Sequence, residues 1–428
     1  MPHFLKYGDG AFEVPLPESK IAYSVEPKAA AGTLPAPESL ISAAIDSPIG
    51  TPPLGEIIKP GEKVCVVVSD STRSWQRPGI ILKVLLDRLN SAGVNDSDVF
   101  IISARGTHRP QGQEELKELV SPEIYDRVAY VSDHDPKNEA ELTYIGTTSR
   151  GTEVLINSRA ASADRVILIG SVLHHFLAGF SGGRKSVLPG IAATRTVQKN
   201  HALSLASGGG FEPTVRSGCT EGNPVHEDMC EAAKLFNPDF IINTVVDESY
   251  RIVGVFAGDV IKAHEAACRL VDDLNCVEIP KKCPVVIASA GGYPKDINVY
   301  QPMKTLCHML ECVSDGGTLI MLSESREGFG SADTEYQMKS LDTMAQREAA
   351  LRANYTIGGA TGFLYCDAAE KYRLIYVTQL PASEFSHTKM EICASLDEAL
   401  ALVGETPDGG VCLMPNGSVT LPKLKKQV

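Results

Sequence analysis

The sequence lacks several features that would place it in a familiar class. Its 11 cysteines include no pair with the C-x-x-C spacing of a zinc knuckle or a redox motif. No apolar run approaches the ~20 residues of a membrane-spanning helix. The N-terminus, MPHFLKYGDGAFEVPL, has no charged segment followed by an apolar stretch, as a signal peptide would. We therefore expect a cytoplasmic protein whose cysteines are reduced thiols.

The sequence also has fewer basic than acidic residues. The chain has 40 Lys and Arg against 53 Asp and Glu, which gives a formal net charge of -13. Such a charge argues against a protein that mainly coats nucleic acid or an anionic membrane, so we expect neither as a partner. The field of the whole protein would repel an anionic substrate. A local cluster of cations would have to hold one.

The fold class follows from short apolar runs that alternate with helical segments. At roughly 150 residues per domain, 428 residues allow two or three domains. The runs are apolar on both faces, as in parallel strands covered by helices. We predict an α/β protein with two domains, mainly parallel sheets and an active-site cleft between them. The strand candidates are residues 63–70, 98–106, 127–133, 165–172, 240–247, 251–259, 284–292, 318–324 and 374–380.

The predicted domain boundary lies near a Pro- and Lys-containing connector, EIPKKCP. Residues 1–268 form the predicted N-terminal domain, and residues 276–404 form the C-terminal one. Residues 405–428 could pack back on the N-terminal domain.

Polar residues follow several of these strands. In open α/β sheets, ligands bind beyond the carboxyl ends of the strands, so we expect these loops to gather at one cleft. Histidines and arginines brought together there would suit proton transfer near neutral pH. The loops are DSTRSWQRPG, ARGTHRPQG, LHHFLAGFSGGRKSVLPG and GGYPKDINVYQPMK.

The glycine-containing loop allows more than one interpretation. GFSGGRKS does not have P-loop spacing, because Arg184 stands where a glycine should precede the lysine. Gly182 and Gly183 could still offer backbone N–H groups to a phosphate. Lys185 is a candidate phosphate anchor, a candidate covalent attachment point, or part of a solvated Arg-Lys pair. His201 is expected near the middle of a helix, as a packed or capping residue or as a metal ligand.

Together these stretches resemble the lactate racemase family, whose members carry a nickel-pincer nucleotide. The resemblance covers most of the chain and keeps the order of the motifs. They are DSTR at 70–73, GTHRP at 106–110, HFLAGFSGGRK at 175–185, LPG at 188–190, NH at 200–201, GNPVHEDM at 222–229, GGYPKDINVYQPMK at 291–304 and SREGFG at 325–330.

The resemblance implies a racemase or epimerase of 2-hydroxy acids. It places the nickel-pincer nucleotide covalently on Lys185 through a thioamide, and it makes His201 the side-chain nickel ligand, which suits square-planar Ni(II). His108 and His175 resemble two acid–base histidines, one for each face of the substrate. His174 is then a neighbour. The α-hydrogen would leave as hydride to the cofactor and return to the opposite face.

The resemblance also implies supporting roles. Arg73 and Lys304 would hold the substrate carboxylate, and Gln301 would bind the substrate or support Lys304. Asp70 would orient His108, although a strand-end cap is the alternative. Thr72, Gly182 and Gly183 are candidates for cofactor contacts. The remaining histidines, at positions 3, 134, 226, 264, 308 and 387, are expected to be surface or structural residues.

The sequence departs from the lactate enzymes in one region. Those carry an aromatic wall with a tryptophan in the second domain, whereas here the only tryptophan is Trp75 and the region reads YTIGGATGFLYCD. A missing aromatic wall would enlarge the pocket, so we infer a substrate bulkier or more polar than lactate.

Two other functions compete with this interpretation. They are a phosphate-binding small-molecule kinase and a nickel-binding protein without catalysis. If the resemblance holds, the cofactor-synthesis enzymes of the cell are partners, because the sequence contains nothing that could build the cofactor.

Overall fold

The computed structural model describes residues 2–26 and 34–425. These residues form two compact units. The N-terminal unit contains the described residues of Ala29–Ser204 and Pro213–Leu274. The C-terminal unit contains those of Met1–Lys28, Leu205–Glu212 and Asn275–Val428.

The strands are numbered in chain order. They are β1 Phe4–Tyr7, β2 Gly10–Glu13, β3 Ile21–Ser24, β4 Val64–Ser69, β5 Val99–Ala104, β6 Tyr130–Asp133, β7 Leu142–Thr147, β8 Glu153–Asn157, β9 Arg165–Ser171, β10 His174–His175, β11 Gly179–Phe180, β12 Phe240–Val246, β13 Ile252–Gly258, β14 Cys276–Ile279, β15 Cys283–Ser289, β16 Val313–Leu322, β17 Arg373–Val377, β18 Glu391–Cys393, β19 Val411–Met414 and β20 Leu421–Leu424.

The helices are numbered in the same way. They are α1 Pro37–Asp46, α2 Leu54–Ile57, α3 Pro78–Ser91, α4 Gln113–Val120, α5 Pro122–Arg127, α6 Ser158–Ala161, α7 Thr194–Ala202, α8 Pro224–Phe236, α9 Lys262–Asn275, α10 Met303–Cys312, α11 Ala332–Lys339, α12 Met344–Ala353, α13 Ile357–Lys371 and α14 Leu396–Val403.

The N-terminal unit is built on a six-stranded sheet with the order β13-β12-β9-β4-β5-β6. From β12 to β6 every neighbouring pair is parallel. Residues 64–68 of β4 are fully buried because helices cover the sheet. Strand order proceeds from β4 to β5 and β6 on one side and to β9 and β12 on the other. The boundary between β4 and β9 is therefore a topological switch point, where ligands of open α/β sheets bind.

The C-terminal unit is built on a parallel sheet with the order β18-β17-β16-β15-β19-β3. Its core includes the apolar side chains of these strands together with Leu5 and Leu396. The predicted α/β class with mainly parallel sheets is confirmed. One strand candidate, residues 251–259, pairs differently, because β13 is antiparallel to β12 across a short turn.

The two units differ in extent from the predicted domains. Residues 21–24 supply β3, an edge strand of the C-terminal sheet, so the N-terminus belongs with that unit. Residues 411–414 supply β19, which pairs with β15 and β3 in the same sheet, so this part of the tail belongs to the C-terminal unit. Strand pairing between segments so distant in sequence is a tertiary contact that an apolar pattern alone does not specify.

Two further sequence expectations concern the whole chain. Within residues 2–26 and 34–425, no helix is long and apolar enough to cross a membrane. All 11 cysteines lie in the described part of the chain, and none forms a disulfide.

Candidate functional site

The first site loop begins where β4 ends. Asp70 is only 2% exposed, and its carboxylate accepts hydrogen bonds from His108 Nδ1 and, at 2.5 Å, from Thr72 Oγ1. Arg73 Nη1 donates in turn to Thr72 Oγ1 at 2.6 Å. Burial opposes ionisation of Asp70. The hydrogen bond from His108, the charge of that ring when it is protonated, the Thr72 hydroxyl and the Arg73 cation outweigh burial, so the pKa of Asp70 lies below its usual value.

This network fixes the tautomer of His108. An ionised carboxylate can only accept a hydrogen bond, so His108 Nδ1 must carry the proton. The neutral ring then has its lone pair on Nε2, and His108 can act as a base at that atom. The side chain of His108 is 44% exposed, which leaves it accessible to a ligand.

The second loop, after β5, is held rigidly to the first. Buried Arg105 donates to the carbonyl oxygen of His108 at 2.7 Å and forms a 2.9 Å ion pair with Asp133. Gln111 accepts from the backbone N–H of Ser71 at 2.6 Å and donates to Asp133 at 2.8 Å. These contacts fix the position of His108 relative to the loop that contains Asp70. Sequence reasoning missed Arg105 and Gln111, although both stand in the ARGTHRPQG motif.

The third loop, after β9, contains His175 and Lys185. The backbone N–H groups of Leu177 and Ala178 point at His175 Nδ1 at 3.2 and 3.3 Å. An N–H group can only donate, so Nδ1 must carry a lone pair, and the neutral ring has its proton on Nε2. His175 Nε2 lies 2.8 Å from Lys185 Nζ. The two candidate acid–base histidines therefore have opposite tautomers, with a lone pair on Nε2 of His108 and a proton on Nε2 of His175.

Arg184 holds the third loop from inside the protein. Its fully buried guanidinium donates to the carbonyl oxygens of Ala178 at 2.7 Å and Phe180 at 2.9 Å, and it contacts His264 Nε2 at 2.9 Å. Burial lowers the pKa of Arg184. Arg184 is therefore committed to the loop backbone rather than forming a solvated pair with Lys185. His264 has a structural role, as the sequence analysis expected, but its link to Arg184 gave no signal in the sequence.

Packing explains the paired glycines of this loop. Gly183 has φ +53°, and a Cβ there would lie 2.8 Å from the ring of His264. A Cβ on Gly182, at φ +71°, would lie 2.8 Å from Asn243 Oδ1. The N–H of Gly183 donates to that same oxygen at 2.8 Å. The predicted contacts of Gly182 and Gly183 with a cofactor stay a prediction.

His201 lies near the C-terminal end of α7 rather than near its middle, and it is 3% exposed. Its Nδ1 is 2.9 Å from the carbonyl oxygen of Val197. A carbonyl can only accept, so the proton is on Nδ1 and the lone pair is on Nε2. Burial first, and then the charge that Lys185 carries when protonated, lower the pKa of His201 to about 3. A neutral imidazole with its second nitrogen oriented by a backbone carbonyl is the form that binds metals.

Four further residues that the sequence analysis singled out remain to be placed. His174 is a neighbour as expected, buried and 2.9 Å from Asp272 through its Nε2. Gln301 and Lys304 lie in the C-terminal unit, just before and in the first turn of α10, which follows β15. Both are exposed. The ring of Trp75 packs at a tilt of 36° against that of Tyr250 within the N-terminal unit, with ring centroids 5.3 Å apart.

The small residues of the C-terminal unit have a packing explanation. They lie in α13, which packs against α11. A Cβ on Gly358 would lie 2.1 Å from Ser331 Oγ, and one on Gly362 would lie 2.6 Å from Gln337 Cβ. Close approach of the two helices therefore requires glycines here, so their presence is not in itself evidence of an enlarged pocket.

Comparison with known proteins covers both units. A family model described as the lactate racemase N-terminal domain matches residues 7–210, and one described as the lactate racemase C-terminal domain matches residues 279–421. The chain is 33% identical to a lactate racemase from Lactiplantibacillus plantarum over 89% of each chain. It is 35% identical to one from Thermoanaerobacterium thermosaccharolyticum over 76% of this chain and 75% of that one.

Solved structures agree with the sequence matches. The structure of the lactate racemase apoprotein from T. thermosaccharolyticum matches with a TM-score of 0.88 at 29% identity, and the match covers 99% of this chain and 100% of that one. A crystal structure of a protein from Thermotoga maritima, 18% identical, shares the fold with a TM-score of 0.62 over 91% of this chain and 97% of that one. Because the sequence matches exceed 30% identity over most of its length, this chain belongs to the lactate racemase family.

Proposed function

We propose that this protein is a nickel-dependent racemase or epimerase of a 2-hydroxy acid, with the nickel-pincer nucleotide bound covalently to Lys185. Membership of the lactate racemase family supports the reaction class. One observation of the site carries the proposal furthest: His108 and His175 have opposite tautomers, and their loops follow β5 and β9, the two strands that flank β4 in one sheet. Inversion at one carbon needs a proton acceptor and a donor that can exchange roles.

The residues present fit the implied cofactor. Lys185 supplies an amine for a thioamide, and His201 supplies a buried, neutral imidazole whose Nε2 carries the lone pair. Imidazole beside soft sulfur donors suits Ni(II). When bound, the nickel-pincer nucleotide supplies the hydride acceptor that protein side chains lack. We assign the attachment to Lys185 and the nickel ligand to His201.

His108 begins the reaction in this scheme. Its Nε2 accepts the proton of the substrate hydroxyl, and Asp70 stabilises the resulting imidazolium through Nδ1–H. Arg73 is connected to the same carboxylate through Thr72, so it can bind the substrate carboxylate from a fixed position. His175 acts on the opposite face. For the other enantiomer the two histidines exchange roles.

The C-terminal unit contributes to the substrate site in this proposal. Lys304 is the second cation for the carboxylate, as a point charge, and Gln301 binds the substrate or supports Lys304. We further propose that the substrate is bulkier or more polar than lactate. The absence of tryptophan from the C-terminal unit supports this, since Trp75 lies in the N-terminal unit. The cofactor-synthesis enzymes and a cytoplasmic location complete the proposal.

Intact-mass analysis of protein made beside the cofactor-synthesis enzymes tests the proposal. We expect a mass increment that maps to Lys185, nickel in equal amount, and interconversion of the enantiomers of at least one 2-hydroxy acid. Lys185→Met should abolish the increment. An unmodified Lys185 under conditions that load a lactate racemase would contradict the proposal. Phosphorylation of a small molecule, or nickel binding that is insensitive to Lys185→Met, would favour the competing functions.

A panel of 2-hydroxy acids tests the substrate class separately. Malate-like, aryl-substituted and sugar acids should racemise or epimerise with higher kcat/KM than lactate. Lactate as clearly the best substrate would refute the larger pocket and leave the reaction class intact.

A further inference from the structure

The contact between His175 and Lys185 has a chemical consequence beyond acid–base catalysis. Lys185 Nζ lies 2.8 Å from His175 Nε2, which is a hydrogen-bonding distance. His175 Nε2 carries the proton, because the N–H groups of Leu177 and Ala178 both point at Nδ1. A protonated lysine has only donors, so an ammonium group would place donor against donor. A hydrogen bond between these two nitrogens therefore requires that the amine of Lys185 is uncharged and accepts from His175.

We propose that His175 holds the amine of Lys185 uncharged and in position for covalent attachment of the cofactor, a priming role that precedes catalysis. This inference rests on the proposed function for the identity of the group attached. An ordinary lysine has only about one amine in a thousand uncharged at pH 7.4, and the uncharged form alone is nucleophilic. Rotation about the side-chain bonds of Lys185 turns the lone pair of its amine from His175 toward an electrophile. The amine is already uncharged, so it does not have to lose a proton before it attacks.

The bond changes at Lys185 balance without a further reactant. When the amine condenses with a thiocarboxylic acid to give a thioamide, a C–N bond forms and a C–O bond breaks. One amine proton leaves with the hydroxyl group as water, and nothing is oxidised or reduced.

Other charged and titratable groups lie around the loop. Arg184 is a buried cation in the adjacent position. Burial lowers the pKa values of His226 on α8 and His264 on α9, and both rings interact electrostatically with Arg184.

The buried side chain of Arg184 holds the backbone segment that orients His175. Arg184 donates to the carbonyl oxygens of Ala178 and Phe180, which lie on the same hairpin as the two N–H groups. The tautomer of His175 is thereby set by main chain that Arg184 keeps in place. Attachment of the cofactor turns the Lys185 nitrogen into a thioamide whose lone pair is delocalised. His175 then loses its acceptor and becomes available to the substrate.

Two measurements on the apoprotein test this role. The first is a long-range ¹H–¹⁵N correlation spectrum of histidine-labelled wild-type protein at neutral pH, assigned with His175→Gln. We expect a proton on Nε2 of His175 and none on Nδ1. A proton on Nδ1, or on both nitrogens, would overturn the proposal. The result is read from the spectrum of the wild-type protein, and His175→Gln serves only to assign the signal.

The second measurement is the pH dependence of acetylation by acetic anhydride, quantified by peptide mass spectrometry. Lys199, exposed on α7, is the reference in the same molecule, and each lysine is normalised to its own plateau at high pH to cancel differences in access. At pH 8, Lys185 should reach at least a tenfold larger fraction of its plateau than Lys199. His175→Gln should reduce this advantage several-fold, and His108→Gln should not change it.

Failure of this inference differs from failure of the proposed function. Equal pH profiles for Lys185 and Lys199, or an unchanged profile in His175→Gln, would refute the priming role even if the cofactor attaches. Absence of a cofactor adduct with a shifted Lys185 profile would refute the proposed function and leave the primed amine established.

Discussion

Replacing Asp70 with Asn isolates the contribution of one buried carboxylate to the site. Asp70→Asn conserves shape but removes the charge that fixes the proton on His108 Nδ1. The amide N–H of Asn can donate to Nδ1, so the ring can adopt the tautomer that has a proton on Nε2. His108 then lacks the lone pair with which it accepts the hydroxyl proton. We expect kcat to fall while KM changes little, because Arg73 remains in place.

The magnitude follows from the hydrogen bond. Hydrogen bonds to charged groups contribute about 1.5–3 kcal/mol. His108 is 44% exposed, and solvent screening favours the lower part of that range, about 1.5–2 kcal/mol. This free energy corresponds to a loss of about 10- to 30-fold in kcat. The assay is the rate of enantiomer interconversion by cofactor-loaded protein at saturating substrate.

Asp272→Asn is the matched control. Asp272 pairs with His174, a histidine without an assigned catalytic role, at 2.9 Å. The control removes the same kind of interaction, so it can lower stability, but kcat should stay within about twofold of wild type. Full activity in Asp70→Asn, or an equal loss in both variants, would refute the proposed orientation of His108.

The same substitution predicts a pH dependence of stability. The pKa of folded Asp70 lies below the value of about 3.9 expected for an unfolded chain. Asp70 therefore stabilises the folded protein above about pH 4, and this contribution is lost as the pH falls through the lower, folded pKa. The difference in unfolding free energy between wild type and Asp70→Asn should be present at pH 7 and shrink below about pH 4. Urea titrations at a series of pH values measure it, and a difference that grows on acidification would contradict the assignment.

Three other substitutions test separate parts of the site. Gly183→Ala places a Cβ 2.8 Å from the ring of His264 at φ +53° and should destabilise the fold by about 1–3 kcal/mol in urea unfolding; wild-type stability would contradict the packing role. His201→Ala should lower nickel retention at least tenfold in metal analysis after dialysis, whereas full retention would exclude His201 as a ligand. Arg73→Lys replaces a bidentate donor with a point charge and should raise KM about tenfold with a smaller change in kcat; an unchanged KM would place the substrate carboxylate elsewhere.

The site could be predicted from sequence to the level of loops. Asp70, His108 and His175 follow β4, β5 and β9, and strands of a parallel sheet bring their carboxyl ends to one edge. His201 was harder to place. A histidine in a helix has many uses, and only its buried bond to Val197 shows which nitrogen carries the proton. A solvated Arg184–Lys185 pair was one of the alternatives that the sequence left open, but the guanidinium of Arg184 is buried against carbonyl oxygens of its own loop.

By itself, the sequence determined the α/β class and the chemistry available at the strand ends. Strands that are apolar on both faces must be covered on both faces, and this constraint is local to each segment. Tertiary structure alone decided that β3 and β19 join the C-terminal sheet, and which nitrogen of each histidine carries a proton. The physical reason is that edge pairing joins segments almost 400 residues apart. The tautomers likewise depend on single hydrogen bonds made by the folded chain, such as that between His108 and Asp70, which no residue pattern encodes.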